Sequence, residues 1–163
     1  MSLLSICQAI QDSEIGTSIR ESIWVFPIIE TIHVLGVANS VGLILMLDLR
    51  LTGLGMKSVP AAQLMHRLKG WYLTGFAIMM VSGALLFWSE AAKLYNSFTF
   101  RMKLLFLILA GINALMFEIF YTPKMAEWEG KEIPSGARLV GWCSFVFWMA
   151  VIGYGRWTAY GLQ

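Results

Sequence analysis

The stretch IWVFPIIETIHVLGVANSVGLILMLDLRL, residues 23–51, decides the fold. It is mostly apolar and longer than the roughly 20 residues with which an α-helix crosses about 30 Å of hydrocarbon. It also contains Glu30 and His33, one helical turn apart. A charged side chain costs a few kcal/mol in hydrocarbon, so such residues usually face a bundle interior and serve a cofactor, an ion or a proton. His33 is therefore the first candidate functional residue.

The rest of the chain has the same apolar character. Hydrophobic residues make up 58% of its 163 residues and charged residues 13%, and the mean hydropathy is +0.68. These values are typical of an integral membrane protein in a lipid bilayer. Together with residues 23–47, the runs 68–88, 102–121 and 139–162 predict four spans. We expect one all-α domain over residues 1–163, an antiparallel four-helix membrane bundle without a soluble catalytic domain.

The amino-terminal segment predicts a short helix on the membrane surface. Leu3, Ile6 and Ile10 share one helical face, opposite Gln8 and Gln11, as in interfacial amphipathic helices. A basic stretch and a small-residue cleavage site are both missing here, so the segment does not resemble a cleaved signal peptide.

The positions of the charged residues indicate how the chain is oriented in the membrane. The net charge is only +2, too small to suggest a nucleic-acid partner. The loops after the first and third spans, with their flanks, carry seven Lys and Arg residues, and the remaining regions carry five. Cytoplasmic loops are enriched in these residues. We therefore expect both termini in the periplasm, the orientation that places these two loops in the cytoplasm.

Helical rise places several polar and sulfur-containing residues in one layer. At about 1.5 Å per residue, His33, Asn113, Met79 and Met80 all lie roughly 15 to 17 Å from the outer surface. His66 precedes the apolar part of the second span and lies near the inner surface. A haem held by the two histidines of the chain is therefore not expected.

Two interpretations of His33 remain open from the residues alone. It forms an interhelical hydrogen bond with Asn113 or pairs with Glu30, or it is an axial ligand of a b-type haem. In the second case Met79, Met80 or no protein group lies on the opposite side of the iron. The sequence contains no C-x-x-C-H, so covalent haem attachment is excluded. Three basic residues near the outer boundary are candidates to hold the haem propionates: Arg101, Lys103 and Arg156.

Other ionisable residues allow ion pairs at both surfaces. Glu30 and Arg156 are predicted at similar depths, so Arg156 either binds a haem propionate or forms an ion pair with Glu30. Both interpretations place Arg156 inside the bundle. A second polar group is predicted at the inner side, either as a structural ion-pair lock or as a proton entry route. Its members are Asp48, Arg50, Arg67 and Glu118.

Four segments carry a family resemblance: ETIHVLG at 30–36, DLRLTG at 48–53, MHRLKGWYLTGFAIMMVSGALLFW at 65–88 and FRMKLLFLILAGINALMFE at 100–118. Their order resembles an uncharacterised family of small bacterial four-helix membrane proteins. It is more distantly similar to the CopD copper-resistance membrane domain and to the HemJ-type protoporphyrinogen oxidase. The resemblance implies a b-type haem, with His33 as ligand and Lys103 as the basic residue of the third span. Asn113 stands where such relatives often have a further histidine.

The function expected from this sequence is membrane electron transfer. We predict a haem b protein that links a periplasmic redox partner to the quinone pool, alone, as a homo-oligomer or as a subunit of a complex. One alternative is HemJ-like porphyrinogen oxidation, which would make the protein an enzyme. The other is a cofactor-free accessory subunit in which Glu30, His33 and Asn113 form a polar lock.

Overall fold

A computed structural model of the chain describes residues 2–128 and 131–160. The described residues form α-helices and one 3-10 helix, without β-strands. The α-helices are α1 (Leu3–Gln11), α2 (Glu14–Glu21), α3 (Val25–Thr52), α4 (Ala61–Ser89), α5 (Ala91–Asn96), α6 (Phe98–Phe120) and α7 (Ser135–Ala159), and the 3-10 helix is Thr122–Trp128.

Within these ranges, four helices are long and apolar enough to cross a membrane: α3, α4, α6 and α7. They confirm the predicted all-helical, multi-pass membrane fold. Each helix begins earlier or ends later than the apolar run that predicts it, because a helix continues beyond the hydrocarbon into the polar interface. The largest extension is in α4, which begins at Ala61 rather than near residue 68.

Local sequence signals set the ends of the long helices. Gly53 has a φ of 79°, the left-handed conformation that ends α3. Pro60 directly precedes α4, where its missing N–H costs nothing. The Ser97 hydroxyl accepts a hydrogen bond from the Phe100 N–H and caps the start of α6.

The four long helices pack in the order α4, α3, α7, α6. Helix α3 contacts both α4 and α7, and α6 packs mainly on α7. Among the described residues, the backbones of α4 and α6 approach each other little, and the two helices meet through side chains such as the stacked Phe87 and Phe100 rings and the Lys69–Glu118 ion pair. Met79 from α4, Ala110 from α6 and Trp148 from α7 belong to the buried cluster in the middle of the bundle.

The two ends of the bundle differ. Helices α1, α2 and α5 cover one end, which we call the capped end. Arg20 of α2 connects this cap to the bundle by donating hydrogen bonds of 3.1 Å to the Gln11 and Ser89 carbonyl oxygens. The sequence predicts one amino-terminal helix, whereas the structure has two, because Ser13 caps a second helix.

At the opposite end, which we call the loop end, lie the connection 53–60 and the described parts of the connection 121–134. The second connection is the most polar stretch of the sequence, which predicts a solvated loop. Most of its described residues are exposed, but it also forms the 3-10 helix, and Met125, only 2% exposed, packs into the buried cluster around Leu51 and Leu64. Burial of this methionine holds the loop against the bundle.

Gly75 allows α3 and α4 to approach closely. A Cβ at Gly75 would lie 2.7 Å from Asn39 Nδ2 and 2.8 Å from the Ser40 backbone nitrogen.

We expect Gly75→Ala to destabilise the protein by about 1–3 kcal/mol, because a backbone atom cannot move away as a flexible side chain can. Thermal unfolding in detergent measures this change. Gly70→Ala on the same helix is the control, since a Cβ there meets nothing within 4 Å; equal changes in both variants would contradict the close approach.

Candidate functional site

His33 is held in position by α4. Its Nδ1 lies 3.0 Å from the Met79 carbonyl oxygen and 3.1 Å from Ser82 Oγ. The Ser82 hydroxyl itself donates a 2.6 Å hydrogen bond to the Ile78 carbonyl oxygen. The imidazole is thus half-buried between α3 and α4, in the half of the bundle nearer the capped end.

These contacts determine which imidazole nitrogen carries the proton. A carbonyl oxygen only accepts hydrogen bonds, so Nδ1 of His33 must be the N–H donor to Met79. In the neutral ring Nε2 then has the free lone pair, and the described residues offer it no hydrogen-bond partner. A histidine whose Nδ1–H donates to a backbone carbonyl is the usual arrangement of a metal-ligating imidazole.

Lys103 is the charged residue whose electrostatic effect reaches this ring. It lies on α6, and the positive charge of its ammonium group acts on the His33 imidazole. No acceptor for Lys103 Nζ is found among the described residues; the Phe100 ring lies 6.0 Å away. A cation within a membrane bundle normally has a partner. The described part of the chain therefore combines an imidazole nitrogen and an ammonium group that both have no hydrogen-bond partner within it.

Two glycines leave space beside these side chains. A Cβ at Gly83 would lie 3.0 Å from His33 Cε1, so a larger residue would press on the ring. A Cβ at Gly155 would lie 3.6 Å from Lys103 Cε, in ordinary contact. Gly83 and Ser82 thus shape the surroundings of His33.

The two methionines of the predicted layer have different positions. Met79 is 5% exposed and contributes its carbonyl, rather than its sulfur, to His33. Met80 is 46% exposed and lies on the outer face of α4. Helical geometry separates them, because successive residues differ by about 100° around the axis.

The structure does not bring Asn113 to His33. Asn113 donates a 3.1 Å hydrogen bond to the Val140 carbonyl oxygen near the loop end of α7. Helix α6 begins at Phe98 rather than near residue 102. Asn113 therefore lies roughly 22 Å from the start of its helix, whereas His33 lies roughly 12 Å from the start of α3.

The other residues expected near the outer boundary are exposed. Arg156 is on the surface, where its guanidinium lies 4.8 Å from the Tyr160 ring and donates a 2.9 Å hydrogen bond to the Tyr160 hydroxyl. Its expected place inside the bundle is therefore wrong. Arg101 and Glu30 are also exposed and have no ion-pair partner in the described ranges. Of the three basic candidates, the structure brings Lys103 alone to His33.

The predicted inner polar group separates into independent contacts. Asp48 is 3% exposed and accepts a 2.8 Å hydrogen bond from Ser144 of α7. Arg50 points elsewhere, and its Nε donates to the Val59 carbonyl oxygen at 2.6 Å. Asp48 and Arg50 thus do not pair, since residues two apart on a helix do not face each other.

Glu118 and Arg67, the other members of that group, are not partners either. Glu118 forms its ion pair with Lys69 of α4, while Arg67 is exposed. Lys69 lies two residues further along α4 than Arg67, on a different face of the helix.

Sequence analysis missed Ser82 and Ser144. Each is a hydroxyl residue inside an apolar run, FAIMMVSGALLFW and WCSFVFW. Such residues commonly form hydrogen bonds between membrane helices. A serine inside an apolar run therefore indicates a hydrogen bond between helices. A single sequence does not show which residue of the other helix is its partner.

Comparisons with known proteins place the chain in a family without assigning it an activity. The described residues contain no group of three or more His, Cys, Asp or Glu side chains arranged to hold a metal ion. No curated protein and no solved structure matches the chain. The comparisons therefore give no link to CopD or to the HemJ-type oxidase. A family model does match residues 21–161, which include all four long helices, so the chain belongs to the family of unknown function DUF6644.

Proposed function

We propose that this protein is a membrane electron-transfer protein that binds a b-type haem through His33. The observation that carries the proposal is the imidazole itself: Nδ1 donates to the Met79 carbonyl, and Nε2 has no partner among the described residues. A single histidine is an established axial ligand of haem iron. Bound haem would supply one-electron redox chemistry.

The protein residues have separate tasks in this proposal. The Met79 carbonyl orients the ring of His33, and a hydrogen bond at Nδ1 also makes Nε2 a better electron donor. Lys103 offers its unpaired ammonium to a carboxylate of the ligand by a charge-assisted hydrogen bond. The surrounding apolar cluster excludes water from the site. Neither methionine sulfur is proposed to hold the haem, because Met80 faces outward and Met79 contacts His33 through its backbone.

A groove beside His33 supports exchange of electrons with a lipid-soluble quinone. The groove, about 430 Å³, lies between α3 and α4 and is lined by six apolar residues and Ser82. The Ser82 hydroxyl also contacts the His33 ring. A quinone in this groove would thus lie one side chain away from the proposed ligand.

The absorption spectrum of the purified protein tests the proposal. In detergent, after reconstitution with haem, we expect a Soret band and, after reduction with dithionite, a sharp α-band. A spectrum with aromatic absorption alone, under conditions where the protein is folded, would reject the proposal and favour the cofactor-free accessory subunit.

The proposed orientation in the bacterial inner membrane has its own test. Seven Lys and Arg residues lie toward the loop end and five toward the capped end, so the loop end is expected in the cytoplasm. Alkaline phosphatase fused after the last residue is expected to be active, because it folds in the periplasm. The matched control is a fusion after Lys131, which is expected to be inactive. The reverse pattern would contradict the assignment.

A further inference from the structure

A second pocket lies at the loop end, about 20 residues along α4 from the His33 contacts at Met79 and Ser82, or roughly 30 Å. We call it the loop-end pocket. It forms where α3 ends, α4 begins and the 3-10 helix packs against both, and its volume is about 220 Å³. Its polar lining consists of Arg50, Lys57 and Ser58, and its apolar lining includes Met125, Trp128 and Ile133.

Arg50 is positioned to bind an anion in this pocket. Its Nε donates a 2.6 Å hydrogen bond to the Val59 carbonyl oxygen, which fixes the plane of the guanidinium. The two terminal nitrogens have no acceptor among the described residues. A guanidinium with both terminal nitrogens free presents two parallel N–H donors, the geometry that matches phosphate and carboxylate oxygens.

The described residues that line the pocket carry positive charge without a negative partner. Lys57 is exposed and forms no ion pair in the described part of the chain. The described lining residues include two cations, one hydroxyl and no carboxylate. A negatively charged ligand therefore complements this pocket.

The size and position of the pocket indicate which anion it would accept. A water molecule takes about 30 Å³, so the pocket has room for roughly seven waters, enough for a phosphate group with its ester oxygens. Trp128 lines the pocket at the end of the membrane-crossing helices, the level at which tryptophan meets lipid headgroups. Basic pockets at this level bind phosphate-bearing headgroups.

We propose that the loop-end pocket binds a phosphate group through Arg50, Lys57 and Ser58. This site is separate from the His33 site and does not depend on haem. The phosphate belongs either to an anionic lipid headgroup or to a soluble phosphate compound, and the experiment distinguishes these sources.

The experiment is native mass spectrometry of the full chain in detergent, titrated with phosphatidylglycerol, with diacylglycerol or with inorganic phosphate. Wild-type protein is expected to bind one phosphatidylglycerol more tightly than diacylglycerol, which has no phosphate. Loss of one surface cation weakens binding of an anionic lipid by about fivefold, so Arg50→Gln and Lys57→Gln should each show a loss of this size. Lys57 is exposed, so its variant keeps the test valid if Arg50→Gln fails to fold.

Lys124→Gln is the matched control, because Lys124 is an exposed lysine of the same end outside the pocket lining. Its affinity is expected to equal that of the wild type. If inorganic phosphate displaces the lipid, or binds alone with the same dependence on Lys57, the source is a soluble phosphate; if it does neither, the source is the headgroup. Equal binding of diacylglycerol, wild-type affinity in Lys57→Gln, or an equal loss in Lys124→Gln would overturn the proposal.

Discussion

Replacement of His33 by alanine is expected to abolish haem binding, whereas His66→Ala leaves haem content unchanged. His33 is half-buried in the bundle and has a free Nε2. His66 is exposed near the start of α4, toward the loop end. The iron loses its protein nitrogen ligand in the first variant only. The pyridine haemochrome assay on equal amounts of folded protein measures the haem content of each variant.

A second substitution separates loss of the ligand from loss of the fold. His33→Gln retains a side-chain N–H that can donate to the Met79 carbonyl, but it provides no imidazole for iron. It is expected to unfold at a temperature close to that of the wild type and to bind no haem. If His33→Gln and His33→Ala kept full haem content, or if His66→Ala lost as much haem as they do, His33 would not be the ligand.

The four spans were predictable because their signals are local. Pro60 before α4 and Gly53 after α3 are recognisable in the sequence, and both act within one or two residues of the helix end. Each apolar run is about as long as a helix must be to cross the hydrocarbon layer of a bilayer. For the same reason the exact helix ends were less accurate, since polar residues continue a helix into the interface without an apolar signal.

The sequence predicts fewer of the contacts in the candidate site. Which residues meet there depends on how each helix is rotated about its axis and on the residue at which it begins. Depth alone placed Asn113 beside His33, yet a start four residues earlier moves Asn113 about 6 Å further from the capped end. Depth alone also does not distinguish Met79, which is buried, from Met80, which lies on a different, exposed face of α4. The direction of a side chain requires knowledge of the neighbouring helix.

The ion-pair predictions failed for a related reason. Asp48 and Arg50 are close in sequence, but the buried Asp48 side chain accepts its hydrogen bond from a hydroxyl of another helix, Ser144. A lone hydroxyl in an apolar run indicates such a contact without naming its partner. The sequence therefore identified polar residues that matter for packing, while the structure was needed to pair them.

Replacement of Lys103 by glutamine is expected to lower the midpoint potential of the bound haem. Reduction adds one electron to the haem, so a nearby positive charge stabilises the reduced form, and its removal favours the oxidised form. At about 10 Å and an effective dielectric constant of about 20, one charge contributes roughly 1.7 kcal/mol, about 70 mV for a one-electron couple. Haem retention should also fall, because Lys103 no longer binds a carboxylate of the ligand. A redox titration followed at the α-band measures the shift.

Arg101→Gln is the matched control for this prediction. Arg101 lies two residues before Lys103 on α6, and its replacement by glutamine removes the same charge. Unlike Lys103, Arg101 is exposed. Solvent and salt screen an exposed charge, so its removal is expected to change the potential by much less. The double variant should then match Lys103→Gln. An unchanged potential in Lys103→Gln at full haem content would exclude a role for its charge at the haem. An equal shift in Arg101→Gln would mean that surface charge in general, rather than the position of Lys103 beside His33, sets the potential.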